Sequence, residues 1–177
     1  MNSPYMGRFR VTQQYKGDSH DGLDLVGIDS KEIHATVSGK VIYSGWENSS
    51  NHGQGFGQYV CIQNSDGDYY YYGHLSERRV STGDLVNITQ VIGIEGSTGY
   101  STGSHCHYCI RPKYIGGVKG NHYNVSLISG IPNELGEYDD GYRPQASAQI
   151  TSSPKAGSIT AEITINGKKY RGTLTEI

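Results

Sequence analysis

Between residues 9 and 110 apolar side chains recur at every second position for only a few residues before a glycine-bearing turn interrupts them. VSGKVIYSGW (37–46) and QYVCIQNSDGDYYYYGHLS (58–76) are examples. Such a pattern cannot lay an apolar stripe along a helix of useful length, but it suits short strands whose successive residues face opposite ways. The 25 glycines and 15 tyrosines agree with this, since glycine supplies turn geometry and tyrosine favours a pleated surface. The chain is therefore expected to be all-β, built on antiparallel strands. Asp66-Gly67 predicts a hairpin between residues 59–62 and 69–72. Alternation along the second of these strands sends Tyr70 and Tyr72 to one face and Tyr69 and Tyr71 to the other.

With 177 residues the chain has room for one full core and a small appendage. The text divides accordingly: a main domain over 1–130, an acidic turn-rich extension and a Pro/Ser-rich linker over 131–158, and a β-hairpin over 159–177 turning at Asn166-Gly167. A lone two-stranded hairpin is marginal in water, so residues 159–177 are expected to serve attachment, either to another copy or to a larger particle. A net charge of −2 without a basic run excludes a nucleic-acid partner. No segment has the roughly 18–20 apolar residues of a membrane span, and the first ten residues lack the apolar centre of a signal peptide. Three cysteines, Cys61, Cys106 and Cys109, are an odd number and a poor disulfide framework, which favours free thiols.

Three short segments carry the chemistry. SHDGLDLVG places His20 and Asp24 four apart; both side-chain types ligate zinc, and they can converge where Gly22 lets the chain bend. GSHCHYCI places His105 and His107 two apart, on one face of a strand, so that one imidazole can bind metal while the other stays free. YYYYGHLS ends a tyrosine-rich strand at His74. A structural zinc is normally closed by four protein ligands, whereas a hydrolytic zinc has three and leaves a position for water. Two histidines and an aspartate supply three, and the remaining imidazoles, titrating near neutral pH, suit proton transfer. By contrast, Cys106-His107-Tyr108-Cys109 has no second cysteine pair to close a structural zinc site, and Cys61 is remote in sequence. His34, His52 and His122 stand outside any pattern and are expected to be ordinary structural histidines.

The order His-x-Gly-x-Asp, then Tyr-Gly-His-Leu-Ser, then Gly-Ser-Thr-Gly-Tyr-Ser-Thr-Gly-Ser-His-Cys-His resembles the lysostaphin and LytM family of zinc endopeptidases over about residues 9–112. The resemblance implies one Zn2+ per chain held by His20, Asp24 and His107. It makes His105 a general base toward water on the metal, and lets His74 orient that water or steady the oxyanion. It implies an antiparallel sheet of the duplicated hybrid-motif type with a narrow groove walled by loops, one of them residues 96–104, and makes bacterial peptidoglycan the substrate. Tyr15, Tyr72, Ser101 and Thr102 are the candidate substrate-binding residues. The family reading places the protein at the cell wall or outside the cell, reached by phage lysis or virion delivery, in keeping with a lytic, antimicrobial role. Its competitor is a catalytically inactive wall-binding or activator module of the same fold. Two departures stand out: Cys109, where relatives often carry an acidic residue, and VNITQ (86–90), which lacks the lysine-glycine turn common there.

Overall fold

The computed structural model describes residues 1–114, 116, 121–141, 159–165 and 168–174. In chain order the elements are β1 (Arg8–Gln13), β2 (Leu23–Gly27), β3 (Glu32–His34), β4 (Gly39–Trp46), β5 (Gln58–Gln63), β6 (Tyr69–Gly73) and β7 (Glu77–Arg78). They continue with β8 (Leu85–Val86), β9 (Val91–Ile94), β10 (Cys106–Arg111), α1 (Val125–Ser129), β11 (Gly136–Asp139), β12 (Ile159–Ile165) and β13 (Lys168–Leu174). Eight strands form one sheet in the order β11-β1-β2-β10-β6-β5-β4-β8, and β3-β9-β7 form a second. Every neighbouring pair is antiparallel, as the alternating sequence requires.

β10 is the pivot. It lies between β2 and β6, and all six of its residues are buried. Cys106, Tyr108 and Ile110 enter a large core with Leu23, Leu25, Val60, Ile62, Tyr70 and Tyr72. Each such aliphatic burial contributes about 1.5–3 kcal/mol. The buried tyrosine hydroxyls are not stranded there. Tyr72 Oη meets Thr36 Oγ1 at 2.6 Å and Tyr108 Oη meets the same atom at 2.9 Å, which satisfies both phenols. On the opposite face Cys109 packs with Phe56, Tyr59, Cys61 and Tyr71. The three thiols are free and buried, as the odd count suggested.

The Asp66-Gly67 hairpin forms with a five-residue connection. Gly67 takes φ +88°, while Asn64 Oδ1 accepts the amides of Asp66 and Asp68. Asn124 caps the one-turn helix α1, which Gly130 ends in the left-handed region.

Residues 136–139 differ from their expected place in a surface extension. They pair with β1 at the edge of the large sheet, and the compact unit runs Met1–Arg143, beyond the boundary at 130 read from the sequence. GEYD offers half-buried and exposed positions only, so its apolar content gave no strand signal; pairing to β1 is what makes it a strand.

A second unit, Pro144–Ile177, contains β12 and β13. They pair antiparallel from Ile159 opposite Leu174 to Ile165 opposite Lys168, as the hairpin reading requires. The expected turn at Asn166-Gly167 and the linker over 143–158 lie outside the described residues.

Candidate metal centre

Antiparallel register sets His107 on β10 opposite Asp24 on β2, and the turn before β2 brings His20 to the same point. His107 Nδ1 lies 2.8 Å and His20 Nε2 3.1 Å from Asp24 Oδ1, with one ligand atom from each residue within 4.8 Å of the others. Ligands at about 2.0–2.2 Å from a tetrahedral zinc stand roughly 3.3–3.5 Å apart, close to this spacing. Gly22 makes the approach possible by its lack of a side chain. A Cβ there would lie 2.7 Å from His107 Nε2 and 2.6 Å from the Tyr108 carbonyl, so this glycine supplies room where the sequence suggested a bend.

Proton placement shows what belongs between these atoms. His20 Nδ1 is 2.6 Å from the Gln14 carbonyl, which can only accept, so Nδ1 carries a hydrogen and Nε2 is the nitrogen that faces Asp24. Where Nε2 carries no proton of its own, its lone pair opposes the carboxylate, and a bound cation between them relieves that opposition. Burial would raise the Asp24 carboxyl, but its contacts with His107 and His20 hold it far below its ordinary range. Burial would likewise lower His107, yet its contacts with Asp21 and Asp24 push it well up. Positive charge is thus favoured where the three side chains meet, and the donor set fits a zinc ion.

Two further imidazoles border this point. His105 Nδ1 donates to the Gly103 carbonyl at 2.8 Å, which leaves Nε2 as an acceptor 3.6 Å from Asp24 Oδ1. His74 Nδ1 donates to the Thr98 carbonyl at 2.7 Å, and its ring centroid is 4.6 Å from that of His105. Burial, then the neighbouring His107 and His105, lower His74 to about 4, so at neutral pH it is an uncharged ring with an open Nε2 lone pair. Its backbone is left-handed at φ +62°, a costly conformation for a residue with a Cβ and a feature that clusters at functional sites.

That backbone angle also accounts for Tyr72. Strand alternation would share a face between residues 72 and 74, but β6 ends at Gly73 and the left-handed turn at His74 swings its ring to the other side. Tyr72 stays in the large core, fully buried on Thr36, so the expectation that it lines the groove is corrected. Tyr15 is corrected too. It does not border the cleft, and its hydroxyl meets His122 Nδ1 at 3.2 Å. Ser101 and Thr102 do line the cleft, Ser101 with its hydroxyl 2.8 Å from the Gly103 carbonyl that also holds His105. His122 also reaches Asp18, His34 is held by the Thr89 carbonyl, and His52 stacks on Trp46 with ring centroids 3.7 Å apart.

The cleft above these residues has a volume of about 520 Å³. One wall is made where the loop around residues 47–57 meets the loop around 96–104. Tyr100 N donates to the Gly55 carbonyl and Gly99 N to the His52 carbonyl. Gly57 and Gly99 touch backbone to backbone, and a Cβ on either would come within 2.3 Å of the other's amide nitrogen. Tyr100, 83% exposed, stands on this wall together with Glu47.

Sequence reasoning missed Asp21 and Arg111. Arg111 continues the face of His107 and Cys109, is fully buried, and donates from Nη2 to Asp21 Oδ2 at 2.5 Å. Its guanidinium lies 4.8 Å from the Tyr71 ring centroid and 5.4 Å from that of Phe56. Asp21 Oδ1 in turn is 3.3 Å from His107 Nε2, within ion-pair distance though not aligned as a hydrogen bond. Arg111, in step with His107 and Cys109 at the end of an otherwise largely apolar strand, was the available signal, because buried charge demands a partner.

Known proteins resemble this chain in sequence and in fold. The sequence model of peptidase family M23 matches residues 18–124. Lysostaphin of Staphylococcus simulans is 40% identical over 92 residues, 52% of this chain and 18% of lysostaphin. The peptidoglycan DD-endopeptidase ShyC of Vibrio cholerae is 39% identical over 117 residues, 66% of this chain and 24% of ShyC. The chain thus spans about a fifth to a quarter of the length of these relatives. Among solved structures, the catalytic domain of the prophage-encoded M23 protein EnpA from Enterococcus faecalis superimposes with a TM-score of 0.56 at 31% identity. It covers 70% of this chain and 94% of that domain.

Proposed function

The chain belongs to peptidase family M23, and from that premise we propose that it is a zinc-dependent endopeptidase hydrolysing peptide bonds of bacterial peptidoglycan. One observation carries the metal: an imidazole nitrogen and a carboxylate oxygen are aimed at each other in a half-buried pocket, an arrangement that a metal cation between them makes favourable. His20 Nε2, Asp24 Oδ1 and His107 Nδ1 would hold it. Zinc in that place supplies Lewis acidity toward a peptide carbonyl and brings the pKa of water toward about 7.

His105 Nε2, an acceptor beside the metal position, takes a proton from the attacking water and delivers it to the departing amine. His74 was left with two duties by the sequence. Its Nδ1 hydrogen is committed to Thr98 and its ring stays neutral, so Nε2 can accept from water but cannot donate to an oxyanion, which favours the water-orienting role. The peptidoglycan substrate is supported by ShyC, and a phage or prophage lytic setting by the likeness to prophage-encoded EnpA. The pairing of β12 with β13 as a two-stranded sheet supports an attachment or self-association role for residues 159–177.

Removing metal with a chelator, then restoring zinc, should abolish and recover release of peptides from purified cell wall, and the masses of the fragments name the bond cut. Undiminished cleavage after metal removal, or a protein that takes up no zinc, ends this reading.

A further inference from the structure

Once His107 uses its Nδ1 lone pair on a metal, the neutral ring must carry its hydrogen on Nε2, which is buried and needs an acceptor. Two groups border that nitrogen: the Asp21 carboxylate, Oδ1 at 3.3 Å, and the Cys109 thiol. A carboxylate is the stronger acceptor, and Arg111 holds its far oxygen at 2.5 Å from a wholly buried position between Phe56 and Tyr71. That grip also keeps Asp21 from turning inward to become a ligand itself, although it sits three residues before Asp24. We propose that Asp21, clamped by Arg111, is a positioning residue that fixes the tautomer and aim of His107 toward the metal, and that Cys109 has no part in this duty. The inference rests on the metal reading above and assigns the ligand's orienting partner within it.

The test measures zinc affinity by competition with a chelator and the visible spectrum of the cobalt-loaded protein, in the full chain and three variants. In Asp21→Asn, Arg111 claims the amide oxygen, which turns the amide NH2 toward Nε2 and sets donor against donor. Affinity should fall about 10–100-fold, with a changed cobalt spectrum. Because that variant leaves a buried guanidinium without its carboxylate, Asp21→Ala/Arg111→Met removes both charges together and should fold while showing the same weakened binding. Cys109→Ala should bind zinc within about threefold of the parent, with the parental cobalt spectrum. Unchanged affinity and spectrum in both Asp21 variants, or a larger loss in Cys109→Ala than in either, overturns the assignment. A parent chain that binds neither ion sinks the metal reading itself, which separates the two failures.

Discussion

On one face of β10, Cys106, Tyr108 and Ile110 enter a core shared by many aliphatic and aromatic side chains. On the other, His107, Cys109 and Arg111 face two carboxylates, three further imidazoles and a ring of aromatics. Both faces are equally buried. On the first, stabilisation is spread over many interchangeable contacts, so loss of one costs only what that contact gave. On the second, polar and charged groups meet a few specific partners in a medium where an unmatched charge is expensive, so the same burial makes the residues there hard to replace. A single strand thus contributes stability through one set of side chains and chemistry through the other.

The sharpest way to break that contrast is His107→Ala. It should abolish zinc loading and reduce wall cleavage on the order of 10³-fold or more, since the metal supplies several kcal/mol of transition-state stabilisation; metal content by atomic absorption and fragment release read both. His105→Ala, two residues away, should lower turnover by about 10²–10⁴-fold with zinc content intact, and loss of zinc there would merge two roles kept apart here. Turning to the core face, Ile110→Ala should cost about 2–5 kcal/mol in denaturant unfolding while cleavage per folded molecule stays at the parental rate. Changed turnover at unchanged metal content would show that the faces are coupled.

Glu95 probes a buried charge remote from the ligands. Its side chain is fully buried and receives Tyr5, Gly27, Lys31 and Ser104. Burial would raise its carboxyl, but those hydrogen bonds hold it below its ordinary 4.5. A depressed folded pKa means that this stabilisation is complete above about pH 4.5 and disappears as pH falls through the lower folded value. The difference in melting temperature between the parent and Glu95→Gln should therefore shrink below that pH; a constant gap across the range would exclude the linkage. The smallest effect belongs to Tyr108→Phe, which removes one of two phenols on Thr36 and should cost about 1 kcal/mol of stability with no kinetic consequence.

Much of this architecture was legible because it is written in short periods. His20, Asp24, His105 and His107 follow spacings that a turn and a strand convert directly into proximity, and the split of Tyr69 and Tyr71 from Tyr70 and Tyr72 follows from the pleat. What escaped depended on events between elements. Tyr72 was assigned to the groove because nothing in YYYYGHLS announces that His74 adopts a left-handed backbone, and β11 was missed because its strand character comes from β1 and not from its own residues. Asp21 and Arg111 are 90 residues apart and meet only through the pairing of β2 with β10. Gly22 stood out as a point where the chain can bend, whereas its clearance from an imidazole ring leaves no mark in a single sequence.

The bare peptide contact at Gly57 and Gly99 limits how the groove can diversify. With no side chain on either glycine there is nothing at their contact to trim or enlarge, so its span is fixed by main-chain thickness. Selectivity among wall chemistries must then be adjusted by what protrudes from the rim, Tyr100 and Glu47 foremost, as a lock is rekeyed by changing its pins and leaving the barrel alone.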